Sequence, residues 1–180
     1  GNARIVRIEN TGSIPANNLQ VSTSALPQDT SITANACTGT LNAGQTCDIE
    51  ITPGGNANLD AGDNACTTTP GTEPVPATVT VIADNAPSTQ VNVLVLGYGC
   101  IYQGGFLFSV DDTTPNTTSI GGKVAALENE PTTLAWATVD NNTAADSITD
   151  GATNTNELST PVGQYPAAQA CLNKDEQGFS

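Results

Sequence analysis

The five cysteines are the residues of this chain whose types and spacing could do chemistry. Cys37 and Cys47 flank a turn-rich segment, Cys66 and Cys100 flank a strand-rich one, and Cys171 lies near the end of the sequence. The chain has no histidine, so it offers neither a Cys/His zinc site nor a Cys–His nucleophile pair. No CxxC spacing occurs, which disfavours a redox or zinc-knuckle motif. Pairing at these spacings predicts the disulfides Cys37–Cys47 and Cys66–Cys100, with Cys171 left over, in an oxidising compartment.

Carboxylate and amide side chains suggest a second kind of chemistry, which is calcium binding. Asp111, Asp112 and Asn116 carry oxygen atoms of the type that Ca²⁺ prefers, and calcium is the only cofactor that the sequence suggests. Their spacing lacks the later bidentate glutamate of an EF-hand loop. Asp and Asn are also preferred in tight turns, so a turn and a calcium site both remain open, and the turn is favoured.

Several groups that catalysis would need are missing from the sequence. Without histidine no imidazole can activate a serine, and neither Lys123 nor Lys174 lies in a Ser-x-x-Lys motif. Gly104-Gly105 and Gly121-Gly122 precede no Gly-Lys-Ser/Thr sequence, so they predict turns or bulges rather than phosphate loops. A glycosidase would pair two carboxylates in a sugar-binding cleft, and such clefts usually contain several aromatic residues. Only 4% of this chain is aromatic, and we expect no enzyme activity.

The charge of the chain excludes some partners. There are 18 acidic residues against 4 basic ones, giving a net charge of -14, which repels phosphate backbones and anionic headgroups. Nucleic acid is therefore not an expected partner. No apolar run reaches 18 residues, so membrane insertion is not expected either. The sequence starts at Gly1 without a visible signal peptide, as expected if a targeting segment has been removed. The cysteines indicate an extracellular or bacterial cell-surface location, with the periplasm as the alternative.

The first hundred residues alternate between apolar and polar side chains in short runs separated by turn residues. This pattern predicts strands over 4–9, 19–24, 31–34, 47–51, 78–82 and 91–96, the last apolar enough to be a central strand with both faces covered. No segment has a helical period. We therefore predict an all-β sandwich over residues 1–98, with the long segment 53–76 tethered through Cys66. Its expected core residues are Ile5 or its neighbours, Ile49, Ile51, Val79, Val81, Val93 and Val95.

A change of pattern at Gly97-Tyr98-Gly99-Cys100 predicts a boundary between a domain at 1–98 and a domain at 99–180. In the second domain we predict strands over 101–110, 121–127 and 134–139, the last around a core Trp136. Residues 140–163 are expected to form a loop. The segment 165–173 predicts a helix, because it contains three alanines and has Pro166 in its first turn. The sequence thus predicts a mainly β chain whose second, smaller domain is α+β.

The first domain resembles the immunoglobulin-like repeat modules of bacterial surface proteins. The resemblance rests on the turn Asn10-Thr11-Gly12 after the first strand and on a loop between two cysteines that reads C…L.AG..C.I. In this chain the loop is Cys37…Leu41-Asn42-Ala43-Gly44-Gln45-Thr46-Cys47-Asp48-Ile49. The resemblance covers roughly residues 1–98, and it implies an immunoglobulin-like β-sandwich in which this loop is closed by a disulfide.

The second domain resembles the C-terminal-domain family of the Legionella collagen-like adhesins. The family's next motif, DW.LP, would follow Ser180, so the match implies the front part of a lectin-like domain and leaves Cys171 without its partner. It also implies adhesin-like surface binding, although family members that bind sulfated glycans would need positive charge. The matching positions are Tyr102-Gln103-Gly104-Gly105-Phe106-Leu107-Phe108 and Asp111, Gly121-Gly122-Lys123-Val124-Ala125-Ala126 and Trp136, Gly151-Ala152-Thr153-Asn154-Thr155, and Ala167-Ala168-Gln169-Ala170-Cys171 with Gly178 and Phe179.

Together these observations predict a non-enzymatic recognition or adhesion module at the cell surface or secreted. Its expected ligand is a glycan, an extracellular protein, or a host or matrix surface. The alternative is a structural spacer that holds a downstream domain away from the cell. A front part of a domain cannot close its own apolar core, so we expect strand 101–110 to pack on the sandwich, on a partner chain or against strands exchanged between chains. Homo-oligomer contacts through the C-terminal segment are therefore one expectation, and a free thiol at Cys171 is another.

Overall fold

A computed structural model of the chain describes residues 1–113, 121–129, 132–160 and 162–173. The fold is mainly β, as the sequence predicted, with three antiparallel sheets and two short helices near the C-terminus. The strands are β1 Arg4–Glu9, β2 Ala16–Thr23, β3 Ser31–Asn35, β4 Gly39–Leu41, β5 Thr46–Thr52, β6 Ala77–Ala83, β7 Ala86–Val93, β8 Ile101–Tyr102, β9 Gly105–Asp111 and β10 Gly121–Ala126. The helices are α1 Gly151–Glu157 and α2 Pro166–Leu172.

Two compact units make up the chain. The first consists of Gly1–Tyr102 with Phe106–Ala125, and the second of Gln103–Gly105 with Ala126–Ser180. The domain limits at 1–98 and 99–180 stay a prediction from the sequence.

Two sheets of the first unit, with strand orders β1-β5-β3 and β4-β2-β6-β7, share one apolar core. Strand β5 alternates as the sequence predicted: Cys47, Ile49 and Ile51 are buried, and the intervening Asp48 and Glu50 are not. From the other sheet, Val79 and Val81 enter the same core. The two sheets therefore face each other across these side chains, and Ile49 in the central strand is fully buried.

The prediction for strand β7 was wrong in both position and environment. The strand begins at Ala86, ends at Val93, and pairs only with β6 at the edge of its sheet. Its side chains are mostly exposed, so it is not a central strand with both faces covered. Beyond Val93 the chain leaves the ladder, because the N–H of Val95 donates to the side chain of Asn58 (2.7 Å) instead. An apolar run by itself could not reveal this competing partner.

The long segment 53–76 is held by one disulfide and one buried amide. Cys66 and Cys100 are bonded and fully buried, with Ala57 beside them. Asn58 is also buried, and its side-chain amide donates to the carbonyl of Val75 (2.9 Å) while its oxygen accepts from Val95. These contacts satisfy a buried polar side chain and fix an excursion that has little regular structure of its own.

Strands β8 and β9 form a hairpin where the sequence analysis predicted a single strand over 101–110. Gln103 and Gly104 separate the two strands, and both have positive φ, +49° and +78°. Two consecutive positive φ angles are the geometry of the type I′ turn, whose twist matches that of the flanking strands. Glycine at the second position makes this turn accessible. With β10 the hairpin forms the third sheet, in the order β10-β9-β8.

The second unit has a small core around its two helices. Leu158, Tyr165 and Ala168 are buried together, with Ala137 and Ala145 packed against them. Helix α2 lies at Pro166–Leu172, with proline in its first turn as predicted. Helix α1 lies in the segment 140–163 that was predicted to be a loop, and Asp150 caps its N-terminus by accepting from the N–H of Thr153 (2.9 Å).

Two further expectations for the second unit were wrong. Residues 134–139 form no strand, and Trp136 is 68% exposed rather than part of the core. Ala137 fills the core position in this segment. A lone tryptophan is usually well buried, but the core here consists of one leucine, one tyrosine and alanines and does not enclose an indole ring.

Candidate functional site

Side chains of β9, in the third sheet, alternate between a more buried and a more exposed face, and the more exposed face is our candidate site. Along β9, Leu107 is buried, whereas Phe108 and Val110 are 56% and 40% exposed. Neighbouring residues of a strand point to opposite faces, so Phe106, Phe108 and Val110 share one face. We call this surface the β9 face and define it as Phe106, Phe108 and Val110 of β9 with Ile101 of β8.

Ile101 belongs to the β9 face because of the hairpin register. The N–H of Leu107 donates to the carbonyl of Cys100 (2.9 Å), which places these two buried residues opposite each other. Ile101 then lies opposite Phe106, and both are half-buried. The buried face is thus fixed by Cys100 and its disulfide, which leaves the aromatic side chains of β9 on the other face.

A tight turn next to the hairpin exposes another aromatic side chain. The N–H of Cys100 donates to the carbonyl of Gly97 (3.2 Å), closing a turn in which Gly99 has φ +87°. A turn with positive φ at its third residue favours glycine there. Tyr98 occupies the second position and is 64% exposed. The sequence analysis treated these glycines as a domain junction and did not single out Tyr98.

Strand β10 also contributes to the β9 face. A Cβ atom on Gly122 would lie 2.6 Å from the carbonyl oxygen of Ser109 and 3.4 Å from the side chain of Leu107. Gly122 therefore faces the same side as Leu107, and alternation places Lys123 on the side of Phe108. Lys123 is exposed and is one of only four basic residues in the chain.

The end of β9 is tied to the N-terminal segment of the same unit. The Asp112 carboxylate accepts a hydrogen bond from the backbone N–H of Asn2 (2.8 Å) and forms an ion pair with the guanidinium of Arg4. The side-chain amide of Asn2 donates to the Asp112 carbonyl (3.1 Å). The N–H of Asn2 and then the Arg4 side chain lower the pKa of Asp112. We call these three residues the N-terminal clamp.

The two described residues of the predicted calcium site have different partners. The side chain and then the backbone N–H of Thr113 donate to Asp111 and lower the pKa of its carboxyl, whereas Asp112 belongs to the N-terminal clamp. Asn116 lies outside the described residues. No group of three or more Cys, Asp or Glu side chains within the described residues is placed to hold a metal ion. Calcium binding at Asp111, Asp112 and Asn116 therefore stays a prediction.

The cysteines are paired in the way that the spacing favoured. Cys37–Cys47 and Cys66–Cys100 are disulfides, with Cα–Cα distances of 5.1 Å and 4.7 Å, and Cys171 is free and exposed. Two buried disulfides indicate an oxidising, extracytoplasmic environment. Neither described helix is long and apolar enough to cross a membrane.

Comparison with known proteins identifies no relative of this chain. No protein-family model, no curated protein and no solved structure matches the chain. Both family resemblances therefore stay predictions, and the argument for function rests on the residues described above.

Proposed function

We propose that this chain is a non-enzymatic recognition or adhesion module that acts outside the cytoplasm, at a bacterial cell surface or after secretion. The observation that carries the proposal is the exposure of Phe108 and Val110 side by side on the β9 face. Exposed apolar side chains that lie next to each other often belong to an interaction site.

The first unit offers support for an immunoglobulin-like character. The two sequence motifs of that resemblance contact each other. The backbone carbonyl of Asn10 accepts a hydrogen bond from the N–H of Gly44 (2.8 Å). The side-chain amide of Asn10 donates a hydrogen bond to the carbonyl of Leu41 (2.8 Å). The turn after the first strand and the loop between Cys37 and Cys47 thus stabilise each other. The lectin-like character proposed for the second unit rests on the sequence resemblance alone.

The ligand we propose for the β9 face is a neutral glycan. Aromatic rings such as Phe108 pack on the apolar faces of sugar rings, and the nearby Tyr98 offers a hydroxyl group for hydrogen bonds. The net charge of -14 opposes sulfated or otherwise anionic glycans. Calcium enters this proposal only if Asp111, Asp112 and Asn116 bind it.

A glycan-array screen of the full-length chain, run with calcium and with a chelator, tests this proposal. We expect binding to neutral glycans that Phe108→Ser abolishes. The matched control is Ile14→Ser, which removes an equally exposed apolar side chain (61%) elsewhere in the first unit. No binding to any glycan, or equal binding by the two variants, would rule out the β9 face as a glycan site.

A structural spacer is the second candidate function, and the N-terminal clamp favours it. The clamp ties the end of β9 to β1, and the Cys66–Cys100 disulfide ties the start of the same hairpin to the segment 53–76. Such double attachment suits a rigid spacer as well as a rigid binding surface. If the screen finds no ligand, and Asp112→Asn only loosens the unit, the spacer becomes the better proposal.

A further inference from the structure

The second unit leaves several large apolar side chains exposed, and Trp136 is the largest of them. The buried residues of its core are Leu158, Tyr165 and Ala168. By contrast, Trp136, Val162 and Ile148 are 68%, 82% and 99% exposed. Exposed apolar side chains that lie together often mark an interaction site.

Backbone hydrogen bonds place part of this apolar surface on one ribbon. The N–H of Thr138 donates to the carbonyl of Gln164 (2.8 Å), and the N–H of Ala167 donates to the carbonyl of Ala135 (3.3 Å). The Thr138 hydroxyl also donates to the carbonyl of Gly163 (3.3 Å). Residues 135–138 therefore run beside residues 163–167. We define the Trp136 ribbon as these two segments with the flanking Val139 and Val162.

Ala137, rather than Trp136, supplies the core contact of this segment. Ala137 packs against the core of Leu158, Tyr165 and Ala168. The indole ring of the neighbouring Trp136 is not part of this core and is mostly exposed. Val139, at the end of the same segment, is 36% exposed.

The charge of this unit indicates which partner suits the ribbon. Its described residues include five carboxylates, at Glu128, Asp140, Asp146, Asp150 and Glu157, and no basic side chain. Both described ion pairs, Arg4–Asp112 and Arg7–Asp48, lie in the first unit. Within the described part of the second unit, these carboxylates thus have no cationic partner, and Asp140 directly follows Val139.

We propose that the Trp136 ribbon is a docking surface for a cationic, amphipathic protein segment, with lysine or arginine side chains interspersed among apolar ones. Apolar side chains of such a segment would cover Trp136 and Val162, and its cations would approach Asp140 and the indole ring. A second copy of this chain is a poor occupant, since it would bring two acidic surfaces together. An anionic membrane is disfavoured for the same reason. This inference concerns a surface other than the β9 face and does not depend on glycan binding.

The test uses the full-length chain and its only tryptophan as the reporter. A synthetic peptide of alternating lysine and leucine is titrated while the emission of Trp136 and its quenching by acrylamide are recorded. Peptides with glutamine or glutamate in place of lysine serve as controls. We expect only the lysine peptide to shift the emission to shorter wavelength and to protect Trp136 from acrylamide. Its affinity should fall by about ten-fold or more as the Debye length shrinks from about 10 Å at 0.1 M salt to about 3 Å at 1 M.

Paired variants locate the interaction. Val162→Ser should weaken the binding by about five-fold or more, while Ile14→Ser, in the first unit, should leave it unchanged. Asp140→Asn should weaken it by about two- to five-fold, and Glu73→Gln, which changes the net charge equally in the first unit, should not. Each binding curve is measured by calorimetry, so that the readout does not depend on fluorescence alone.

Several results would overturn the proposal. Equal binding of the glutamine peptide would show an apolar site without charge recognition. Equal effects of Asp140→Asn and Glu73→Gln would show attraction to the whole acidic chain rather than to the ribbon. Burial of Trp136 in a dimer without peptide, detected by sedimentation, would make a second copy the occupant. Absence of binding at 0.1 M salt would also reject it.

Discussion

Removal of the two disulfides should destabilise the first unit by different amounts, because the loops that they close differ in length. Cys37 and Cys47 are separated by 10 residues, and Cys66 and Cys100 by 34. The chain-entropy relation gives about 2.7 kcal/mol for the shorter loop and about 3.8 kcal/mol for the longer one. We therefore expect the double variant C66A/C100A to lose about 1 kcal/mol more stability than C37A/C47A.

Urea denaturation followed by far-UV circular dichroism measures this difference. With a slope of about 2 kcal/mol per molar urea, the transition midpoints should fall by about 1.4 M for C37A/C47A and about 1.9 M for C66A/C100A. Cys171→Ala is the control and should leave the midpoint unchanged, since this cysteine is free and exposed. A larger loss for C37A/C47A would refute the entropic reasoning. It would mean that packing of Cys37 and Cys47 in the main core, next to Ile49, outweighs loop closure.

Three further predictions follow from burial and charge. Ile49→Ala should reduce the free energy of unfolding by about 3–5 kcal/mol, whereas Ile82→Ala, at a 41% exposed position, should cost less than about 1.5 kcal/mol, both measured by urea denaturation. The hydrogen bond from the N–H of Asn2 and then the Arg4 side chain lower the pKa of Asp112, so these contacts stabilise the fold above about pH 4, and their contribution disappears as the pH falls through the lowered pKa. Thermal melts between about pH 2 and about pH 7 should therefore show a smaller acid-induced fall in melting temperature for Asp112→Asn than for the unaltered chain. Cys171 should react with a thiol reagent in the native chain at a rate close to that of a free thiol, and slow labelling would contradict its exposure.

The clamp and the disulfides also suggest why the third sheet can present apolar side chains without collapsing. Leu107 and Cys100 hold one face of the hairpin in place, and Asp112 holds its end. The other face then need not be buried for the hairpin to persist. A short hairpin without such attachments would be marginal in water, because two strands bury too little apolar surface.

The alternation of side chains along the first unit was enough to predict its core strands. Ile49, Ile51, Val79 and Val81 are buried as their period of two required, and Val93 packs against the same core. This succeeds because a one-residue shift in register would move every one of these side chains to the solvent. The cysteine spacing and the lack of histidine likewise favoured the observed disulfides without any knowledge of the fold.

Other features depend on partners that are distant in sequence, and only the tertiary structure reveals them. Strand β7 lies at a sheet edge and ends at Val93, because Asn58, from another loop, binds the backbone of Val95. The ion pair between Arg4 and Asp112 joins residues that are 108 positions apart in the sequence. No local pattern contains these partners.

The candidate sites show the same division most clearly. The sequence places Phe108 in an apolar strand and Trp136 in an apolar segment, and both patterns suggest burial. Tertiary structure decides otherwise, since Leu107 and Ala137 take the inward positions and leave the larger rings exposed. The physical reason is that sequence fixes which residues alternate, whereas the supply of covering side chains from other elements fixes which side of the alternation is buried.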